Sequence, residues 1–262
     1  MLTSPYPPSK GELKKMKNRP KILTIAGFDP SGGAGLLADV KTIEANKCAA
    51  FAVCTANTVQ NENEFVAVNW IAEEEVFAQL DILLKEHQFK YVKVGLIPSL
   101  DFLKKIIANL QSSISNVKIV WDSVLSASAG FDLGYDLSAL KEVLKGIYIV
   151  TPNWNEIKQL SGNDDAQKGA ELLAELTNVY LKGGHNPTTK GKDYFYFEGQ
   201  VLSFNPKIKV LYDKHGSGCV FASVLTANLA KGYPIIKACL RSKAYMYKFL
   251  NSSPTLLGTH RL

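Results

Sequence analysis

From Lys21 onward the chain alternates short apolar runs with stretches of helical period, and this constrains the fold more than any other feature. KILTIAG (21–27) reads as a buried strand and GAGLLADVKTIEAN (33–46) as the helix after it. AAFAVCTANTV (49–59) and FVAVNWI (65–71) read as strands, and EEEVFAQLDILLKEH (73–87) as a helix with an acidic start. The pattern repeats through YVKVG (91–95), SLDFLKKIIANLQ (99–111), VKIVWDSV (117–124), LSALKEVLKG (137–146) and IYIVTP (147–152). It continues with NEIKQLSG and AQKGAELLAEL as helices, VYLKGG (179–184) as a strand, and DYFYFEGQVLSF (193–204) as a hairpin around Glu198-Gly199. Two helices close the chain, SGCVFASVLTANLAKG and IIKACLRSKAYMYKFLN. Such alternation predicts an α/β domain, a mostly parallel sheet covered by helices on both faces. Ligands of such sheets bind beyond the carboxyl ends of the strands.

Composition excludes several classes. The densest apolar run, Cys48 to Cys54, is far short of the roughly 20 residues of a spanning helix. No apolar segment follows the basic N-terminus as in a secretory signal. The formal net charge of +6 falls almost wholly in the first 21 residues, where six basic side chains face Glu12 alone. The body is nearly neutral, so a nucleic-acid partner is not expected, and residues 1–20 read as a flexible basic leader before a single domain over 21–262. Cys48, Cys54, Cys219 and Cys239 form no CxxC pair and no zinc spacing with histidine. They read as reduced thiols of a cytoplasmic protein.

Four segments carry chemistry. AGFDPSGGAGLLAD (26–39) places glycines between a strand and a helix. It is neither a GxGxxG fingerprint nor a Walker A loop, and alone it reads equally well as a tight turn with a capped helix. In KHGSGC (214–219), Gly216, Ser217, Gly218 and Cys219 precede a long helix. Its free N–H groups and dipole make an anion site suited to a phosphoryl group in flight. Cys219 in the first turn is expected to have a depressed thiol pKa, and so to accept the proton of an attacking alcohol. In TPNWNEI (151–157), Asn153 and Glu156 fit both a helix cap and a carboxylate that holds Mg²⁺ through water. VYLKGGH ends in Lys182, Gly183, Gly184 and His185. Lys182 can neutralise phosphate charge, although taken singly it reads as a solvated surface lysine, and His185 as a loop residue.

Taken together, these segments resemble the phosphomethylpyrimidine kinases. AGFDPSGGAGLLADVKT is similar to that family's AGSDPSGGAGIQADLKT start, TANTVQN to TALTAQNT and KVGLIPS to KIGML. VWDSVLSASAG is similar to LDPVMVAKSG, TPNWNEI to TPNLPEA, LKGGH matches directly, and HGSGC matches HGTGC. The resemblance implies a ribokinase-like three-layer α/β/α sandwich, a homodimer, and transfer of a phosphoryl group from ATP, with Mg²⁺, to the hydroxymethyl group of a pyrimidine in thiamine biosynthesis. It implies that Gly27, Asp39, Gln60, Leu96 and Val124 line the aminopyrimidine pocket and that Asn153, Glu156, Lys182 and Gly184 serve the nucleotide. Asp122 and Glu156 would serve the metal, and Cys219 would be the base-like residue beside Gly216–Gly218. The chain departs from the family at Phe28, Leu96, Ser123, Ser128, Trp154 and Asn155. Pyridoxal kinase chemistry on the same fold and a non-catalytic binding protein remain alternatives at this point.

Overall fold

The first strand, β1 (Lys21–Phe28), is buried along nearly its whole length, as expected where a strand is covered on both faces. A computed structural model describes residues 19–125, 136–207, 209–210 and 212–260. The other strands are β2 (Ala49–Gln60), β3 (Phe65–Trp70), β4 (Tyr91–Val94), β5 (Lys118–Trp121), β6 (Ile149–Val150), β7 (Asn178–Leu181), β8 (Asp193–Phe197) and β9 (Gln200–Phe204). The helices are α1 (Gly35–Ala45), α2 (Glu73–Glu86), α3 (Leu100–Ser113), α4 (Leu140–Gly146), α5 (Trp154–Ser161), α6 (Ala166–Ala174), α7 (Ser217–Ala230) and α8 (Ile235–Leu250). The strands form one sheet in the order β3-β2-β1-β4-β5-β6-β7-β8-β9. Neighbours from β2 through β7 pair in parallel, whereas the edge pairs β3–β2, β7–β8 and β8–β9 are antiparallel.

Strand alternation sorts the core into two layers. Leu23, Ile25, Val92, Val94, Ile119, Trp121, Val179 and Leu181 face a core shared with α2 through α6. Tyr91, Val120, Ile149, Tyr180 and Phe195 face the other core, which is shared mainly with α7 and α8. The three-layer α/β/α arrangement expected from the sequence is therefore present. The hairpin turns on Glu198 and Gly199, both at positive φ, as a tight two-residue β-turn requires.

Three expectations need adjustment. IYIVTP yields only a two-residue strand, and VYLKGG stops at Leu181, because Gly183–His185 turn into a 3-10 helix. The expected leader over 1–20 lies outside the described residues through position 18. Its last two residues are tied down: Pro20 accepts the Ala49 N–H, and Arg19 reaches Glu44 and the Cys48 carbonyl. Ser128 also lies outside the described residues. Among those residues, no helix is long and apolar enough to cross a membrane.

Candidate active site

The carboxyl ends of β1, β2, β4, β5, β6 and β7 bring the singled-out segments to one side of the sheet, around a cavity of about 300 Å³. Strand order lays its walls out in sequence. Gly27, Thr58, Gln60, Phe65, Leu96 and Val124 line one end. Asp122, Asn153, Glu156, Lys182 and Gly216–Cys219 stand in the middle. Val210, Phe221, Met246, Tyr247 and Leu250 line the far end together with Gly184.

The middle is built on α7. Gly216 caps it in the left-handed conformation, at φ 68°. A Cβ there would lie 2.1 Å from the Gly33 carbonyl oxygen, so only glycine lets the two glycine-rich loops touch. The Ser217 N–H turns back to Lys214 and the Val220 N–H bonds Gly216. The amides of Gly218 and Cys219 are left at the open end of the helix with no intrahelical acceptor. Across from them Lys182 Nζ lies 3.0 Å from Asp122 Oδ1 and 3.8 Å from Glu156 Oε2. Burial pushes the Asp122 carboxyl upward, but Lys182 and Lys93 outweigh it and hold the group below the usual range.

Glu156 does two things at once. It completes a capping box, its Oε2 accepting the Asn153 N–H at 2.7 Å while Asn153 accepts the Glu156 N–H. Burial first, and then the charge of Asp122, push its carboxyl from 4.5 to about 7, against the pull of Lys182 and the Asn153 amide. A carboxylate whose folded pKa is raised binds more protons folded than unfolded between those values. Stability of the metal-free protein is therefore expected to fall as pH rises from about 4.5 to about 7. Glu156→Gln keeps an acceptor for the Asn153 amide and should flatten that part of the profile. Denaturant melts in chelator across this range check it, and an unchanged slope in the variant refutes it.

The sequence expectation of an acidic Cys219 is corrected. Burial pushes its thiol up to about 12; Asp122 and Asp39 add to this, and Lys93 and the Gly35 N–H donating to the sulfur only partly offset it. The helix N-terminus does not make this thiol acidic, because burial, with the carboxylates adding to it, outweighs it. Asp39 is corrected as well. It does not line the cavity but is fully buried, accepting hydrogen bonds from Thr24, Lys93 and Ser223.

Gln60 does reach the cavity, its Nε2 donating to Thr58 Oγ1 at 2.8 Å. Residues missed at the sequence level include the apolar far end, the buried Asp29–His215 pair at 2.9 Å that joins the two glycine-rich loops, and Lys93. The DPSGG and KHGSG segments held a signal for the pair. The far end had none, because its residues come from separate helices and a loop.

The sequence profile of the family described as Phosphomethylpyrimidine kinase matches residues 29–261. The hydroxymethylpyrimidine/phosphomethylpyrimidine kinase THI20 of Saccharomyces cerevisiae is 33% identical over 87% of this chain, which spans 45% of that longer protein. The hydroxymethylpyrimidine/phosphomethylpyrimidine kinase of Rhizobium meliloti is 31% identical, over 89% of this chain and 91% of its own. Among solved structures, the ADP complex of Bacillus subtilis pyridoxal kinase superposes with a TM-score of 0.79 at 26% identity, covering 90% of this chain and 94% of that one. A phosphomethylpyrimidine kinase from Clostridium difficile gives 0.74 at 28% identity, covering 87% and 98%.

Proposed function

The chain belongs to the phosphomethylpyrimidine kinase family, and from that premise we propose that it transfers the γ-phosphoryl group of ATP to hydroxymethylpyrimidine, to its monophosphate, or to both, in thiamine biosynthesis. The observation that carries the reading is the continuous cavity, with an aromatic- and amide-lined end, an apolar far end, and an open helix terminus flanked by Lys182 between them. Two substrates that exchange a phosphoryl group need that layout. Each must be held at one end while fixed donors receive the charge between them.

In this reading the pyrimidine lies over Gly27 with Gln60 at its polar edge and Leu96 and Val124 beside it. The Gln60 amide both donates and accepts, as an aminopyrimidine edge demands. The ATP base occupies the far end against Phe221, Met246 and Leu250, and its phosphates run past Asn153, Lys182 and Gly184 to the open end of α7. The amides of Gly218 and Cys219 take the developing charge, and Lys182 adds a positive charge. Asp122 Oδ2 is buried without a hydrogen-bond partner, and Glu156 keeps its proton into the neutral range. A buried carboxylate oxygen with no donor, beside a second carboxyl that burial and a like charge keep from ionising, fits Mg²⁺ held largely through its own waters. Among the described residues no cluster of three metal-ligating side chains occurs, which suits an ion shared with phosphates. When bound, Mg²⁺ would neutralise charge on the phosphates.

We read the protein as a cytoplasmic homodimer. Its cysteines are all free, which supports a reducing compartment. The edge strand β3 leaves Val66 and Trp70 exposed, which supports pairing of copies there.

The test is turnover with hydroxymethylpyrimidine, its monophosphate, pyridoxal and pyridoxine. Pyridoxal is the second reading because several similar structures are pyridoxal kinases. Turnover confined to pyridoxal and pyridoxine would replace the pyrimidine reading. Gln60→Ala should weaken pyrimidine binding by about 1–3 kcal/mol, the cost of an unmet polar edge, and leave ATP affinity unchanged. Calorimetry with each ligand separately checks this, and unchanged pyrimidine affinity removes Gln60 from the pocket's recognition.

A further inference from the structure

Lys93 has no exposed surface. It sits in β4 between Val92 and Val94, so strand alternation turns it toward the face covered by α1 and α7. Its Nζ lies 2.8 Å from Asp39 Oδ2. Asp39, on α1, accepts Thr24 Oγ1 from β1 at 2.6 Å and Ser223 Oγ from α7 at 2.7 Å. Ser223 stands one turn beyond Cys219 on the same helix face. The ammonium is also closely confined, since a Cβ on Gly95 would meet Nζ at 2.6 Å. A buried ion pair is weak evidence for stability, because apolar residues of the same volume often do as well. Neither side chain lines the cavity, yet the pair is hydrogen-bonded through Ser223 to the helix whose first turn forms the proposed anion site.

We propose that Lys93, acting through Asp39 and Ser223, is the positioning residue of the phosphoryl-receiving end of α7. The chain of contacts runs β4 to α1 to α7. It fixes where the Gly218 and Cys219 amides point relative to the sheet that carries Asp122 and Lys182. Lys93 also places a positive charge within electrostatic reach of Asp122 and Cys219, where it supports negative charge arriving at the helix end. The assignment of a phosphoryl group to that end rests on the kinase reading; the ordering of the end does not.

Ser223→Ala removes only the hydroxyl that ties Asp39 to α7. Lys93→Met combined with Asp39→Asn removes both charges together, so that neither is left buried alone. Loss of alignment at a reacting centre is worth about tenfold to a hundredfold. We expect kcat to fall about tenfold in Ser223→Ala and about a hundredfold in the paired variant, with KM for ATP and for the alcohol within about twofold of wild type. Adding Ser223→Ala to the paired variant should cost little more, because both act along one chain of contacts. Amide exchange at Gly218–Val220 should be about tenfold faster in Ser223→Ala, while exchange in β1 and β4 is unchanged. Folded variants with wild-type kcat, or a loss that appears only in KM, overturn the proposal, as does unchanged exchange at Gly218–Val220. Where the paired variant does not fold, Ser223→Ala decides. A wild-type protein that phosphorylates none of the four acceptors overturns the kinase reading, and the exchange measurement then still decides the role of Lys93.

Discussion

Gly218→Asp is expected to abolish phosphoryl transfer and leave the melting temperature within a few degrees of wild type. Gly218 lies inside the right-handed first turn of α7, so a side chain there strains no backbone. A Cβ on Gly218 would lie 3.1 Å from Lys182 Nζ and 3.5 Å from the nearer Asp122 oxygen. A carboxylate on that Cβ would pair with Lys182, repel Asp122, and occupy the space at the helix end. It thereby removes a cation from the phosphoryl group and sets a negative charge in its place. Losing one fixed donor of this kind costs about 10²–10³-fold, and here the donors are blocked while the charge is reversed, so the rate should fall by at least about 10³-fold. Gly216→Ala provides the contrast. Its Cβ would lie 2.1 Å from the Gly33 carbonyl at a positive φ, so it should lower the melting temperature before any question of rate arises. Thermal melts and single-turnover rates on both variants check the pair of outcomes. A folded Gly218→Asp protein with near-wild-type turnover would remove the phosphoryl group from this helix end.

The contrast between neighbouring glycines shows what the sequence revealed. Glycines before a helix point to an anion site, and at the HGSGC segment the structure leaves the amides of Gly218 and Cys219 open at a helix start. Which glycine serves the ligand and which only lets backbones meet is set by the partner loop at Gly33, nearly two hundred residues away in sequence. The fold was legible because period-2 and period-3.6 patterns are local properties of the chain. The sequence reads a longer strand at Ile147–Pro152 than Ile149–Val150; the flanking Tyr148 and Thr151 amides still bond to β5, so the segment stays extended beyond the ladder. Lys93 was hidden for a related reason: a charged residue in YVKVG reads as the solvent side of an alternating strand, and only the packing of α1 and α7 over that face makes it a core residue. Asp39 was drawn to the pocket by the resemblance, whereas its hydrogen bonds to Thr24, Lys93 and Ser223 hold it behind the wall. The far end of the cavity draws on Val210, Phe221 and α8, which no spacing connects.

Cys219 is where the sequence expectation and the structure differ most in consequence. The sequence pointed to an acidic thiol, which would serve as a resident thiolate base. The structure pushes the thiol up to about 12, so at neutral pH it is a neutral S–H. The Gly35 N–H donates to its sulfur, and the Cys219 thiol is among the groups that help keep the Asp122 carboxyl ionised. A neutral thiol in that position can still move a proton. As the alcohol oxygen bonds to the γ-phosphorus and the bridging P–O bond to the leaving ADP breaks, the alcohol proton passes to sulfur while the S–H proton passes to Asp122, so atoms and charge balance. Three mechanisms then separate by two substitutions. A resident thiolate predicts that Cys219→Ala and Cys219→Ser fail alike, since neither ionises near neutrality. A purely backbone role predicts that both keep the rate, since the N–H remains. The relay predicts that Cys219→Ala loses about 10²–10⁴-fold, the usual worth of a positioned proton acceptor. On the relay, Cys219→Ser keeps a clearly larger share than alanine, because a hydroxyl also accepts and donates. The relay is the expected result, with kcat measured at saturating ATP and alcohol. Alkylation should follow the same logic: Cys219 should react slowly at neutral pH despite lining the cavity, because its thiolate is scarce. Equal and steep losses in the serine and alanine variants, together with fast alkylation protected by bound pyrimidine, would restore the thiolate. A loss below about tenfold in alanine, well under the range for a proton acceptor, would leave the amides of α7 to act alone.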